Sequence, residues 1–325
     1  MTESSNSLRF RDQAITFANG VKGEFVEIES ASPINFFEAI NRPEAMQRVT
    51  LDGKLFLPTH GEPPYPLVIV VPGSLGISPS HLAHAETLNA HSIATFVLDS
   101  FGARSVASTV ADQTQFSFAA SAYDVLATFR TLAHRADIDE RRIGAQGHSR
   151  GGSAVCQAAT RKFAAAVVGS NQGLIGILAA YPWSGQQFLN PSVGETKVAV
   201  LIGDRDEWCS VAQVQGHCQA LRLCGNDVTL QVVRGAQHSF DRDTPVIEVE
   251  EASVARAAPI VYIEDNGAMI DPATGVSDPS VTDRDTMLYM LKAGYGNKGA
   301  RIGSAPGEAE LFRQRMLEFW SDTLV

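Results

Sequence analysis

The sequence has few basic residues, few charges overall and no long apolar run, and each deficit excludes a class of protein. Its 26 Lys and Arg are outnumbered by 36 Asp and Glu, which gives a formal net charge of -10. Such a surface repels nucleic acid phosphates and anionic lipid headgroups, so neither nucleic acid nor a membrane is an expected partner. No stretch reaches the ~18 apolar residues of a membrane span, and the N-terminal segment contains no apolar signal region. The chain is therefore expected to be cytoplasmic.

Cysteine is also scarce, and no metal or dinucleotide motif appears in a suitable context. The 4 cysteines are too few to staple 325 residues, and no two form a CxxC pair, so we expect reduced thiols. No two histidines combine with a carboxylate at ligand spacing, so neither a metal nor another cofactor is expected. Residues 294–299 match the G-x-G-x-x-G pattern but follow a helix-like stretch instead of a strand. We interpret this segment as a flexible loop.

With 44% hydrophobic residues the chain can fill a sizeable core, and the apolar residues cluster in short continuous runs. The runs lie at 66–71, 92–98, 163–169, 197–203 and 228–233. Continuous runs indicate strands that are buried on both faces. Helical periodicity between them is clearest at 117–135, where apolar residues recur at steps of three and four. Alternating strands and helices predict an α/β fold, with a mostly parallel central sheet flanked by helices.

The segments that flank this core are assigned to the same domain, 1–325. Strand-like segments at 14–18, 24–30 and 48–57 predict N-terminal antiparallel edge strands within residues 1–57. Residues 241–305 are acidic, rich in Pro, Gly and Asp, and offer one convincing helix near 283–294, so we expect an irregular insertion. The last helix is predicted to begin near 304–306 and to cover the sheet with an apolar face.

The motif G-x-S-x-G spans Gly147 to Gly151. A strand-like segment precedes it and a helix-like segment follows, which is the context of a nucleophile elbow. In that strained turn, side chains beside the serine would clash, so glycines are needed there. The helix that follows directs free N–H groups towards a developing oxyanion. Ser149 is therefore the candidate nucleophile.

A serine hydroxyl needs a base to take its proton, and the base needs a carboxylate to fix its tautomer. The acid and then the histidine are expected to follow the serine along the chain. Asp204 and Asp206 follow one apolar run and His238 follows the next, so all three lie at the sheet edge where Ser149 emerges. We take His238 as the base, and the residues alone leave Asp204 and Asp206 open. The histidines interpreted as solvated residues of a polar helix are His81, His84 and His91, while His148 is expected to point away from the elbow.

The loop after the first core run, residues 72–76, is the candidate for the second half of an oxyanion hole. Its glycines let the backbone turn sharply, so that an N–H can face the substrate carbonyl oxygen. The Ser74 N–H is the preferred donor and the Leu75 N–H the alternative. The Arg150 N–H, behind the nucleophile, is the expected second donor. An ordinary Gly-Pro turn is the other interpretation of this loop.

Two further groups are placed beside the site. Asp99 and Arg104 are interpreted as a salt bridge that braces their loop, with a grip on a charged substrate as the alternative. Tyr181, Trp183 and Trp208 are interpreted as either pocket lining or core packing.

Together, the ordered motifs resemble the dienelactone hydrolase family of α/β-hydrolases. The resemblance covers about residues 48–240 and the last helix. The motifs are PGSLGI at 72–77, LDSFGAR at 98–104, GHSRGG at 147–152, GDRDEW at 203–208 and GAQHSFD at 235–241. The resemblance implies the α/β-hydrolase fold, and its G-x-x-D pattern maps onto Gly203 and Asp206, which favours Asp206 as the acid. The founding enzymes carry cysteine where this chain has Ser149, which favours an ester over a lactone substrate.

The resulting hypothesis is a serine hydrolase that cleaves a small-molecule carboxylic ester or lactone through an acyl-enzyme. A peptidase or acyltransferase with the same triad is the alternative, followed by a non-catalytic small-molecule binding protein, which would not need the base. A homo-oligomer stays open. The 241–305 insertion directly follows His238, so it leaves the sheet at the rim of the site. We expect it either to shape acyl or alcohol selectivity or to cover a remote edge.

Overall fold

Four of the five continuous apolar runs form strands of one central sheet. The structure is a computed structural model that describes residues 9–170 and 172–324. Its strands are β1 Glu24–Ser32, β2 Gln47–Phe56, β3 Tyr65–Val71, β4 Ala94–Asp99, β5 Ile138–His148, β6 Gly176–Ala180, β7 Gln186–Phe188, β8 Lys197–Gly203, β9 Val228–Val233, β10 Ile247–Val254, β11 Val261–Ile263, β12 Met269–Ile270, β13 Ser277–Asp278 and β14 Asn297–Ile302. Its helices are α1 Phe36–Asn41, α2 Pro79–Asn89, α3 Phe118–Ala133, α4 Arg150–Ala159, α5 Arg161–Val168, α6 Val211–Leu223, α7 Asp283–Lys292 and α8 Glu308–Leu324.

In this described part of the chain, eight strands form a sheet in the order β1-β2-β4-β3-β5-β6-β8-β9. Neighbours from β4 to β9 pair in parallel, whereas β2 is antiparallel to both β1 and β4. The predicted α/β class and mostly parallel sheet are confirmed. Because parallel strands end at the same edge, the loops after β3, β5, β8 and β9 meet there. No helix among the described residues is both long and apolar enough to cross a membrane.

The N-terminal edge forms largely as predicted. Strands β1 and β2 cover the predicted segments 24–30 and 48–57. The prediction of a strand at 14–18 was wrong, because this segment makes a single bridge, between Thr16 and Lys22. A tight turn follows at once, in which Gly20 has a φ of 88°, and it leaves too few residues for a longer ladder. Residues 1–8 of the predicted edge region lie outside the described residues.

The prediction of a strand at 163–169 was also wrong, because these residues form most of helix α5. The neighbouring sheet strand is β6, which begins seven residues after the run ends. Three consecutive alanines at 164–166 give the run a strong helix preference. Only Phe163 and Ala164 are buried, so the run has one buried side, as expected of a surface helix.

The predicted helices at 117–135 and at the C-terminus are present as α3 and α8. Helix α8 begins at Glu308 and buries Phe312, Met316 and Trp320, as expected for a helix that covers the sheet. The Trp320 indole N–H donates to Gln146 Oε1 on β5 at 2.9 Å. This bond connects the last helix to the strand that carries the nucleophile.

The insertion between residues 241 and 305 is more ordered than the sequence predicts. Strands β10 and β14 form an antiparallel pair, and β11 extends a small sheet by pairing in parallel with β7. Helix α7 matches the predicted helix near 283–294. The flexible loop predicted at 294–299 was wrong for its second half, because β14 begins at Asn297. Its backbone partners lie about fifty residues away on β10, and a local sequence pattern does not reveal such pairing.

The four cysteines are free, and three of them are buried. Burial raises the pKa of the Cys218 thiol to about 11 and that of Cys156 further. These thiols therefore stay protonated near neutral pH and behave as small apolar side chains.

Buried His217 in α6 makes the stability of the fold depend on pH. Burial lowers its pKa to about 4, below the ~6.5 of an exposed histidine. The unfolded chain therefore binds the proton more tightly, and stability falls as the pH drops from about 6.5 towards 4. When the pH is lowered from 7 to 5, we expect the free energy of unfolding of the native chain to fall by about 2 kcal/mol more than that of a His217→Gln variant. Urea unfolding at the two pH values measures this difference. The exposed control His91→Gln should behave like the native chain, and equal losses in all three proteins would contradict this prediction.

Candidate active site

Ser149 lies in the sharp turn between β5 and α4, as its motif predicts. Its backbone has φ 55° and ψ -115°, a combination that non-glycine residues adopt at a cost in strain. The flanking glycines are required by contact, since a Cβ on Gly147 would lie 2.0 Å from Gly151 O. A Cβ on Gly151 would in turn lie 2.2 Å from Val71 O. The turn therefore tolerates no side chain on either glycine.

The structure brings Ser149, His238 and Asp206 into one hydrogen-bonded line. His238 Nε2 is 2.9 Å from Ser149 Oγ, and His238 Nδ1 is 2.7 Å from Asp206 Oδ2. An ionised carboxylate only accepts hydrogen bonds, so Nδ1 carries the proton and Nε2 is free to accept the Ser149 hydroxyl. Asp206 is completely buried, and its other oxygen accepts the backbone N–H groups of Trp208 and Cys209, both at 2.8 Å.

Asp204, the competing acid, has a different role. Its side chain is exposed, and Oδ1 accepts the Gly235 N–H at 2.6 Å. This bond joins the loop after β8 to the loop after β9. Asp204 therefore connects the two loops, whereas Asp206 contacts the histidine.

The loop at 72–76 packs directly against the nucleophile. A Cβ on Gly73 would lie 3.1 Å from Ser149 Cβ and 3.0 Å from His148 O, so this close approach requires glycine. Ser74 borders the same cavities as Ser149, whereas Leu75 borders one of them and is partly exposed. Arg150 is the first residue of α4, where a backbone N–H has no partner within the helix. The two residues whose backbone N–H groups are predicted to form an oxyanion hole, Ser74 and Arg150, thus border the same cavity as Ser149.

The Arg150 side chain has a structural role that the sequence reasoning missed. Its guanidinium is buried, with its centre 4.4 Å and 4.2 Å from the ring centroids of Phe116 and Phe118. It donates to the carbonyl oxygens of Gln113 at 2.9 Å and Phe116 at 2.6 Å, which holds this segment against the site. Burial lowers the pKa of Arg150 to about 10. The available signal was a long basic residue directly after Ser149 with no acidic residue close to it in sequence.

Two aromatic residues hold the His238 ring. Trp208 stacks on it with ring centroids 5.3 Å apart, and Tyr181 meets it edge-on at 4.6 Å. The Tyr181 hydroxyl donates to Asp241 Oδ1 at 2.5 Å. Of the three aromatic residues considered from sequence, Trp183 and Trp208 border the cavity beside Ser149. Tyr181 packs behind the histidine and borders the smaller cavity around it.

A second buried carboxylate, Asp241, lies behind this histidine. His84 Nε2 contacts Asp241 Oδ2 at 2.8 Å, and His148 Nδ1 lies 3.3 Å from the same oxygen. The expectation that His81 and His84 are solvated was wrong, since they are 1% and 4% exposed. They share the inward face of α2 with Ala85 and Leu88, and this helical spacing was the signal that could have revealed their burial.

The proton on His148 can be assigned from its neighbours. The Trp320 indole only donates, so Gln146 Oε1 faces it and Gln146 Nε2 faces His148 Nε2 at 3.2 Å. His148 Nε2 therefore accepts, and Nδ1 carries the proton that points towards Tyr181 and Asp241. Burial lowers the pKa of His148, in keeping with a neutral ring. Three donors thus surround Asp241, and its pKa lies well below the usual value because of its histidine neighbours.

Two groups of side chains have the spacing of metal ligands. The first is His84, His148 and Asp241, and the second is Asp206, Cys209 and His238. In the first group, a metal would have to displace the protons that already pair with Asp241. In the second group, burial raises the pKa of Cys209 well above its usual value, which disfavours the thiolate that a metal needs. Hydrogen bonding accounts for both groups.

The predicted salt bridge between Asp99 and Arg104 was wrong. Asp99 instead accepts the backbone N–H groups of Phe101 and Gly102, at 2.9 Å and 3.1 Å. Arg104 pairs with buried Asp124 on α3, at 2.7 Å. Arg104 does brace its loop, but the partner is a distant helix residue that sequence spacing could not reveal.

Two cavities meet at Ser149. The first, cavity A, is partly open to solvent. It is bordered by Phe118, Trp183 and Trp208, and by the insertion residues Ser253, Val254, Ala255, Asp283, Thr286, Met287 and Met290. Cavity B is smaller and is bordered by Ser74, His81, His238 and Arg242. The insertion therefore supplies much of the wall beside the nucleophile.

This fold, a mostly parallel sheet flanked by helices with Ser149 after β5, Asp206 after β8 and His238 after β9, is that of the α/β-hydrolases. The profile of the dienelactone hydrolase family matches residues 51–261, which is more than half of the sequence. The chain belongs to the dienelactone hydrolase family. The resemblance inferred from the motifs is confirmed, and family membership supports a hydrolase.

Solved structures of similar proteins agree on the fold. A protein from Klebsiella pneumoniae subsp. pneumoniae assigned as a dienelactone hydrolase is 13% identical, with a TM-score of 0.53 over 92% of this chain and 99% of its own. A dienelactone hydrolase-like promiscuous phosphotriesterase from metagenomic libraries is 12% identical, with a TM-score of 0.53 over 93% and 100%. The protein m3DLH is 13% identical, with a TM-score of 0.56 over 93% and 99%. No curated protein matches the chain.

The two aspartates after β8 provide a matched test of the acid. Asp206→Asn would present an amide N–H to His238 Nδ1 or leave the ring in the wrong tautomer, so we expect the rate of hydrolysis of an activated test substrate to fall by about 10⁴-fold. Asp204→Asn should lower the rate by less than about tenfold, because the hydrogen-bond partner of Asp204 is the Gly235 backbone N–H and asparagine keeps an oxygen that can accept it. Initial rates with 4-nitrophenyl acetate measure both. If Asp204→Asn is the more damaging change, Asp206 is not the acid.

Proposed function

We propose that the protein is a serine esterase that hydrolyses a carboxylic ester or lactone through an acyl-enzyme. The observation that carries this proposal is the hydrogen-bonded line from Ser149 Oγ to His238 to buried Asp206, at 2.9 Å and 2.7 Å. Family membership supports a hydrolase. Serine in place of the cysteine of the founding enzymes favours a broad ester substrate.

In the first half of the proposed reaction, His238 Nε2 takes the Ser149 proton as Oγ attacks the ester carbonyl carbon. The carbonyl oxygen becomes an oxyanion that accepts the backbone N–H groups of Ser74 and Arg150. The imidazolium forms beside the Asp206 carboxylate, which stabilises its charge. When the tetrahedral intermediate collapses, His238 gives its proton to the leaving alcohol and the acyl group stays on Ser149.

In the second half, a water molecule gives a proton to His238 Nε2 and attacks the acyl carbon. The same N–H groups accept the new oxyanion, and the bond to Ser149 Oγ breaks as His238 returns the proton to that oxygen. The product is a carboxylic acid. No group outside these residues and water is needed to balance the reaction.

The two cavities suggest where the parts of the substrate lie. The leaving alcohol receives its proton from His238, so it must depart on the side of that residue, where cavity B lies. The acyl part then occupies cavity A, which borders Ser149 and Arg150 but not His238. Under this assignment the insertion, through β10 and α7, shapes acyl selectivity.

Replacement of the nucleophile tests the proposal. We expect Ser149→Ala to lower kcat for 4-nitrophenyl acetate by about 10⁴-fold or more, because no other group accepts the acyl chain. Alanine has a Cβ as serine does, so the backbone strain at this turn is unchanged and we expect the variant to fold. Thermal unfolding checks this. The exposed Ser170→Ala is the control and should retain native rates. Native activity in pure Ser149→Ala would end the proposal, and activity on peptide amides in preference to esters would redirect it to a peptidase.

A further inference from the structure

A buried carboxylate beside the nucleophile has no role in the proposed reaction. Asp283 is the first residue of α7, and its side chain borders cavity A together with Ser149. It is 6% exposed. Because the insertion brings it there, the central sheet does not require it.

Asp283 has accepting capacity left over. Its Oδ2 accepts the Phe118 N–H at 2.7 Å, and its Oδ1 accepts the side-chain N–H of Gln186. A carboxylate offers about four lone-pair sites, so about two remain. None of the ion pairs within 4.0 Å among residues 9–170 and 172–324 involves Asp283. Burial raises the pKa of this carboxyl group, although the hydrogen bonds from Gln186 and Phe118 and the nearby charge of Arg150 act in the opposite direction.

Gln186 on β7 supplies a second acceptor next to this carboxylate. Its Nε2 faces Asp283, so its Oε1 points elsewhere, and that oxygen is buried with no hydrogen-bond partner among the described residues. Gln186 is 2% exposed and borders cavity A. A buried acceptor without a donor destabilises a protein. Gln186 Oε1, beside a carboxylate with spare accepting capacity and a cavity, therefore indicates a ligand that donates.

The surroundings define the rest of that ligand. Phe118 and Trp183 stack with ring centroids 4.5 Å apart, and Met287 and Met290 complete an apolar wall. A cationic donor is disfavoured, because the buried Arg150 guanidinium already lies 4.2 Å from the Phe118 ring centroid. The ligand group is therefore apolar in its body and carries a neutral hydrogen-bond donor.

We propose that Asp283 and Gln186 form a subsite for a hydroxyl group on the acyl part of the substrate, so that the protein prefers esters of hydroxylated, aromatic acids. This inference rests on the proposed esterase function, which assigns the acyl part to cavity A. The hydroxyl donates to the acceptor pair while the ring packs against Phe118 and Trp183. A methoxy group of similar size cannot donate, so it leaves the pair unsatisfied.

Matched acyl groups test the subsite. The substrates are 4-nitrophenyl esters of 3-phenylpropanoic acid bearing a hydroxyl or a methoxy group at the para or meta position. We expect kcat/KM of the native protein to favour the better hydroxyl isomer over its methoxy counterpart by about tenfold or more. Dissociation constants of the corresponding ethyl esters, measured by calorimetry with Ser149→Ala, should show the same preference without turnover.

Asp283→Asn provides the decisive variant. Asparagine keeps an oxygen for the Phe118 N–H, but its amide N–H groups face Gln186, which can rotate so that Oε1 accepts one of them. Both free acceptors are then consumed, and the hydroxyl preference should fall to within about twofold of unity. Asp285→Asn is the matched control. Asp285 is exposed on the same helix, its carboxylate accepts the Thr282 hydroxyl group, and it does not border cavity A. It should keep the native preference.

The outcomes separate this inference from the function on which it rests. Hydrolysis of the unsubstituted ester without any hydroxyl preference, in rates and in binding, would overturn the subsite and leave the esterase intact. If no ester is hydrolysed, the proposed function fails, and equal affinities of the hydroxyl and methoxy esters for Ser149→Ala would then reject the subsite as well. If Asp283→Asn does not fold, the comparison of hydroxyl and methoxy esters in the native protein still tests whether the subsite exists.

Discussion

The hydrogen bond between buried Asp206 and His238 Nδ1 is the interaction on which the site depends. It joins loops that follow two neighbouring strands, β8 and β9, and fixes which nitrogen of His238 faces Ser149. The other oxygen of Asp206 accepts the backbone N–H groups of Trp208 and Cys209, so both oxygens of this buried side chain have hydrogen-bond partners. Because β8 and β9 are neighbours in the sheet, the loops that follow them bring Asp206 and His238 together.

The second buried carboxylate, Asp241, supports the same histidine from behind. Tyr181 connects the two, because its ring contacts His238 and its hydroxyl donates to Asp241. His84 and His148 complete the donors, and Gln146 links His148 to Trp320 on the last helix. The network holds Tyr181 in position, and Trp208 stacks on the His238 ring. Side chains from distant parts of the chain thus restrict the imidazole to one orientation.

Much of the fold and most of the candidate site follow from local sequence. The elbow at Ser149 depends on two glycines and a change from strand to helix within five residues, all of which can be read in order. The placement of Asp206 and His238 follows from apolar runs that end just before them. Where sequence reasoning failed, the deciding contacts were distant in sequence. The 163–169 run was misassigned because periodicity alone does not distinguish a short apolar run in a strand from one in a helix. The contact of His84 with Asp241 spans more than 150 residues, and the order within the insertion depends on pairing with β7 and between β10 and β14.

In the proposed reaction Ser149 carries the acyl group of the substrate. Rapid acid quenching of the protein during turnover of a 4-nitrophenyl ester, followed by intact-mass and peptide mass spectrometry, detects such an intermediate. We expect a mass increase equal to one acyl group, located on the peptide that contains Ser149, which decays as hydrolysis continues. If ester hydrolysis proceeds with the acyl group on a different residue, the assignment of Ser149 as nucleophile is contradicted.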